Sequence, residues 1–154
     1  MSDVSPTFRH TAAGLTGAGA LPFIALTIAM GVLDAPTNLT ASFWLMVYAT
    51  VILSFLGGIR WGLALTSPSG TPLRLVLSVL PALAGWVIVP YAILVQQIPS
   101  PEWFLAYAAL FALQFGWDWT STAVPGWFKP IRLMVSGVVI ACLIAAWVIR
   151  AFAG

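Results

Sequence analysis

The sequence predicts an all-α integral membrane protein, a single domain over residues 1–154 built as a bundle of five transmembrane helices, with the N-terminus inside and the C-terminus outside. Three observations predict it. Hydrophobic residues make up 61% of the chain and charged residues only 6%, whereas a soluble domain carries about 25% charged residues. So few charges cannot cover a water-facing surface, so the apolar side chains face lipid. Five apolar runs each reach the ~20 residues that a membrane-spanning helix needs, and turn-forming residues separate them. Finally, Lys and Arg collect in alternate loops.

The first run, 14–33, closes at Asp34, Ala35 and Pro36. It follows a polar segment holding Arg9 and His10. A signal-peptide core is only about 7–15 residues, so this run is expected to be a retained helix. The second run, 42–65, closes in a loop with Pro68, Ser69, Gly70 and Pro72. The third, 73–95, closes at Gln96, Gln97, Pro99 and Pro101. The fourth, 102–122, closes at Val124, Pro125 and Gly126, and the fifth is 131–152. Barrel strands are shorter, about 9–11 residues, and alternate in polarity; these runs do neither. Pro22 in the first helix and Pro81 and Pro90 in the third predict kinks, with neighbouring helices satisfying the backbone groups that proline frees.

Orientation follows the Lys and Arg of the short loops. With five passes, the N-terminus and the second and fourth loops share one side. That side holds Arg9, Arg60, Arg74, Lys129 and Arg132; the other holds only Arg150, together with Asp34 and Glu102. Tryptophans concentrate at membrane–water interfaces. Trp44 and Trp103 begin the second and fourth helices at the outer boundary, and Trp61, Trp117, Trp119 and Trp127 lie toward the inner one.

Composition also restricts the chemistry. A single cysteine, Cys142, allows no intrachain disulfide, and with the single His10 it supplies neither a paired-histidine haem nor a Cys/His zinc site. No metal or cofactor is expected. A net charge of +2 gives no reason to expect nucleic acid as a partner. The expected surroundings are the lipid bilayer, with a membrane-protein partner or further copies of the chain.

Two features of the apolar runs stand out. Ser54, Gly58 and Gly62 recur every four residues on the second helix, extended by Thr50 and Thr66. Membrane helices approach closely along such rows of small residues. The partner is either another helix of this chain, the favoured reading, or another subunit. Arg60, two residues from Gly58, lies about 200° away around the helix. On the fourth helix Ala108, Ala112, Gly116 and Thr120 form a similar row, and Asp118 points away from it, sharing a face with Gln114 four residues earlier. The two helices run in the same direction, which places Arg60 and Asp118 at similar depth. A mid-helix charge costs about 2.5–3.5 kcal/mol on insertion scales. An opposite charge ~4 Å away recovers roughly 4 kcal/mol at an effective dielectric near 20. Arg60 therefore either snorkels to the headgroups or joins Gln114 and Asp118 in a polar cluster at the cytoplasmic end. Asp118 can pair with Arg60 or Lys129.

The run Leu53–Ser54–Phe55–Leu56–Gly57–Gly58–Ile59–Arg60–Trp61–Gly62 is the most distinctive piece of the chain. With Gly19–Ala20–Leu21–Pro22–Phe23, Gln114–Phe115–Gly116–Trp117–Asp118 and the segment from Pro125 to Arg132, it resembles the small bacterial and mitochondrial membrane proteins typified by transmembrane protein sixty-nine. The resemblance implies a multi-helix membrane architecture in a family of unknown function, and no established activity.

Short loops, the missing cofactor ligands and the small-residue rows lead to a non-enzymatic accessory or assembly factor of a complex in the bacterial inner membrane; the mitochondrial inner membrane is the second choice. The alternative is a small oligomeric transporter or channel with Arg60, Gln114 and Asp118 on its path. An intramembrane hydrolase would need a nucleophile with a base, or a metal. Ser54 has no histidine near it in sequence, so no catalytic residue is assigned.

Overall fold

A polar backbone group has no water to bond in hydrocarbon, so a chain this apolar satisfies its peptide groups internally, as helix. The computed structural model, which describes residues 5–67, 70–96, 98 and 100–152, consists of helices joined by short turns, with no strand among the described residues. Pro68, Ser69, Gln97 and Pro99, expected in the turns, lie outside the described residues.

Helix α1 spans Pro6–Ala18 and α2 spans Leu21–Val32. Together they replace the single helix expected over 14–33. The helix begins earlier because Ser5 caps it, its Oγ accepting from the Phe8 amide at 3.3 Å, with Pro6 in the first turn. It breaks at Gly19 and Ala20 because Pro22 has no N–H with which to continue the ladder. The Tyr48 hydroxyl donates to the Gly19 carbonyl at 2.9 Å and so occupies an acceptor at the break.

Helix α3, Thr37–Leu65, is the longest. Helix α4, Pro72–Pro90, contains Pro81 and Pro90 and passes into a π-helical turn over Tyr91–Val95. The Gln96 amide donates to the Tyr91 carbonyl at 3.3 Å, the wider spacing of that turn. Helix α5 covers Glu102–Thr120, and a 3₁₀ turn at Gly126–Phe128 leads into α6, Lys129–Phe152.

Helices α2, α3, α5 and α6 close a ring, each packed on the next; α4 stands outside, packed chiefly on α3, and α1 lies against α6. Phe23 fills the centre, with its ring centroid 5.1 Å from that of Tyr48 and 5.6 Å from that of Phe111. Thr50 and Tyr107 join α3 to α5 through their hydroxyls at 2.6 Å. The α3–α4 contact rests on two notches. A Cβ at Gly57 would sit 2.3 Å from the Ser78 carbonyl oxygen, and one at Gly85 would sit 2.6 Å from Thr50 Cγ2. A side chain at Gly57 would displace the backbone of α4, and one at Gly85 would displace the Thr50 side chain.

Among the described residues, four segments are long and apolar enough to cross a membrane: Pro6–Val32, Thr37–Leu65, Pro72–Val95 and Gly126–Phe152. Helix α5 is not among them. It carries Glu102, Gln114 and Asp118, and it buries the last two inside the bundle rather than presenting them to lipid. Its path is nonetheless end to end. At its start Trp103 meets Tyr91 edge to face, with centroids 5.9 Å apart, and donates to Gln96 Oε1 at 2.7 Å. At its finish Asp118 meets residues of α3 and α6. Its 19 residues rise about 28 Å at ~1.5 Å each.

Candidate functional site: an ion-paired end of the bundle

Leu53, Leu56, Gly57 and Arg60 occupy the i, i+3, i+4, i+7 positions of one α3 face, and all four are buried. The helix that supplies apolar side chains to the core thus carries a guanidinium inward at its last turns. Arg60 is 5% exposed. Asp118 arrives from the last turn of α5. A carboxylate there opposes the negative end of the helix dipole, so it requires nearby positive charge. Three cations supply it. Arg60 Nη2 lies 2.5 Å from Asp118 Oδ1. Arg132, from the first turns of α6, donates through Nε to Oδ2 at 3.0 Å and through Nη2 to the same oxygen. Lys129 Nζ donates to the Trp119 carbonyl at 2.7 Å, close to the helix terminus. The Trp117 ring covers Arg60, with Cζ 4.7 Å from the centroid, a cation–π contact.

The Arg60–Asp118–Arg132 triad carries one net positive charge. It also leaves donors unused. Arg60 Nε and Gln114 Nε2 are buried, and neither has a hydrogen-bond acceptor among the described residues. The triad stands between two cavities. One, of about 690 Å³, is lined by Arg60, Arg74, Thr66, Thr120 and Thr122, with no acidic residue among the described residues of its wall. The other, of about 430 Å³, is lined mostly by apolar side chains such as Phe55, Ile59, Phe128 and Val139, with Asp118 and Arg132 in its wall. Leu63 and Ala123 line both.

The structure places Arg60 and Asp118 in direct contact, so Arg60 is paired and does not reach outward to headgroups. Gln114 lies in the same buried stretch, 3% exposed, without a hydrogen bond to either. The partner absent from the sequence reading is Arg132. It is 14 residues from Asp118, and only the hairpin through Pro125 and the 3₁₀ turn folds it back. The Pro125–Gly126 pair, a turn signal followed by an arginine six residues later, is the one feature of the sequence that points to it.

The small-residue row requires correction. Ser54, Gly58 and Gly62 are exposed, and a Cβ added at Gly58 or Gly62 would meet nothing within 4 Å. The close approach within the chain uses Gly57, one residue and about 100° away. On α5, Ala112, Gly116 and Thr120 are likewise exposed, and only Ala108 of that row is buried.

Five of the six Lys and Arg residues share one end of the molecule. Arg9 lies over the Trp127 ring, 5.6 Å from its centroid, and Phe8 meets the same ring edge-on. Arg60, Arg132 and Lys129 gather at the close of α5, and Arg74 shares a cavity wall with Arg60.

Residues 8–148 match the family described as protein of unknown function, DUF3429. Among curated proteins, Transmembrane protein 69 from Xenopus tropicalis is 31% identical over 134 residues, an alignment covering 84% of this chain and 50% of that protein. The chain thus spans about half the length of that relative. No solved structure matches it.

Proposed function

The chain belongs to this family of unknown function, and from that premise we propose that it is a five-pass protein of the bacterial inner membrane, N-terminus inside and C-terminus outside, acting as a non-enzymatic accessory or assembly factor of a larger complex. The observation that carries the accessory role is the outward row Ser54, Gly58 and Gly62. The chain already packs α3 on α4 through Gly57, and the second row has no neighbour within 4 Å of its glycine positions. Between lipid-facing helices, such rows contribute chiefly by letting another backbone approach. Five passes are supported by the end-to-end course of α5, and the orientation by the gathering of Arg9, Arg60, Arg74, Lys129 and Arg132 at one end.

Affinity purification of the tagged full chain in a mild detergent tests this reading. A stoichiometric partner that is lost with Gly58→Leu, while the chain itself stays folded, is the expected result. Recovery as a lone monomer would overturn it. The polar cavity beside Arg60 favours a second reading, a small oligomeric transporter with its polar cluster at the cytoplasmic end. Homo-oligomers that pass solute into liposomes would select that reading.

A further inference from the structure

The two cavities at the ion-paired end differ in chemistry and share walls. The larger is bordered by Arg60 and Arg74 and by the threonines Thr66, Thr120 and Thr122, with no carboxylate among the described residues of its lining. Both oxygens of Asp118 are already committed, Oδ1 to Arg60 and Oδ2 to Arg132. Positive charge around this cavity therefore exceeds negative charge by one within the triad, and Arg74 adds a second. Arg60 is buried, it lines the cavity, and its Nε has no acceptor among the described residues. A buried donor without an acceptor is unfavourable, and an anion brought against the guanidinium adds charge-assisted bonding to that site.

The smaller cavity begins where the larger ends, at Leu63 and Ala123, and continues among Phe55, Ile59, Phe128 and Val139. A water-soluble anion would use only the first space; a purely apolar ligand would use only the second. A molecule with a phosphate head and an acyl chain uses both. The site also lies at the end where the cations gather, the depth at which basic pockets between membrane helices take anionic headgroups.

We infer that this end of the bundle binds an anionic phospholipid, its phosphate in the polar cavity beside Arg60 and Arg74 and one acyl chain in the apolar cavity behind Leu63 and Ala123. The inference is independent of whether a protein partner occupies the outward face of α3.

The experiment is a titration of the delipidated full chain in detergent, read by native mass spectrometry and thermal unfolding. The probes are phosphatidylglycerol, phosphatidylcholine and inorganic phosphate. One phosphatidylglycerol should bind saturably, at least tenfold tighter than phosphatidylcholine or phosphate. Arg74→Gln removes an exposed charge and should weaken phosphatidylglycerol about tenfold, the effect of roughly one charge-assisted hydrogen bond. Should that variant lose stability without lipid, Arg74→Lys, which keeps the charge, must restore binding. Val139→Trp fills the apolar cavity and should weaken long-chain phosphatidylglycerol while leaving the dihexanoyl form unchanged. Equal binding of phosphatidylglycerol and phosphatidylcholine would overturn the inference, as would an unaffected Arg74→Gln protein or a Lys variant without rescue. Inorganic phosphate binding as tightly as the lipid, with Val139→Trp silent, would assign the site to a free anion and overturn it as well.

Discussion

Asp118 meets two guanidiniums, and the two oxygens divide the work: Oδ1 is ion-paired with Arg60 of α3, and Oδ2 accepts from Arg132 of α6. Losing the carboxylate is therefore different from losing one arginine. Asp118→Asn leaves the buried Arg60 and the partly buried Arg132 against a neutral amide, and breaking a buried pair in this way costs about 3–5 kcal/mol. Arg60→Met leaves Asp118 still bonded to Arg132, so its cost is expected to be smaller, roughly 1–3 kcal/mol. The double variant should cost less than the sum of the two, by on the order of 0.5–3 kcal/mol. Reversible unfolding in mixed micelles measures all three, and simple additivity would show that the pair does not interact. Arg60 and Asp118 were each legible as polar residues in apolar runs, and their shared depth followed from helix direction. Arg132 was legible only as a loop charge, because nothing local to Asp118 says which way the next helix returns.

At the scale of the helices, adjacent glycines have opposite roles. Gly57 faces α4, where an added Cβ would come within 2.3 Å of the Ser78 carbonyl oxygen; Gly58 faces outward with nothing near it. Gly57→Ala should destabilise the chain by about 1–3 kcal/mol, since α4 must shift to admit the methyl group. Gly58→Ala should be neutral, or stabilising by up to roughly 0.5–1 kcal/mol, as alanine is the better helix former. The same unfolding measurement on the purified chain checks both, and equal effects would contradict the packing of α3 on α4. The sequence shows that α3 contains a small-residue row. It does not show which row meets the neighbour, because residues 57 and 58 are only about 100° apart and both begin plausible stripes. The break between α1 and α2 is similar: Pro22 announces a disturbance, but the Tyr48 hydroxyl that bonds Gly19 comes from another helix.

For the whole molecule, α5 decides the topology. It lacks the apolarity of the other spans, yet it joins the end marked by Tyr91 and Trp103 to the end marked by Arg60, Asp118 and Arg132. A helix inside a bundle can carry Gln114 and Asp118 because protein, not lipid, surrounds them. If α5 crosses, a reporter fused after residue 154 should report an external C-terminus, and one inserted at Gly70 an internal loop. A cytoplasmic reporter at residue 154 would require an even number of passes and overturn the assignment.

The sequence by itself determined the helical membrane class, the approximate bounds of the helices from α3 to α6 and the identity of the polar residues, because each follows from local chemistry: apolar length, turn formers and the cost of a charge in lipid. Tertiary structure alone decided that Arg132 completes the Asp118 pairing, that Gly57 rather than Gly58 faces α4, and that a polar and an apolar cavity adjoin at one end. Those facts depend on how helices far apart in the chain rotate against one another, and rotation is set by the fit of complementary faces, which no single helix contains.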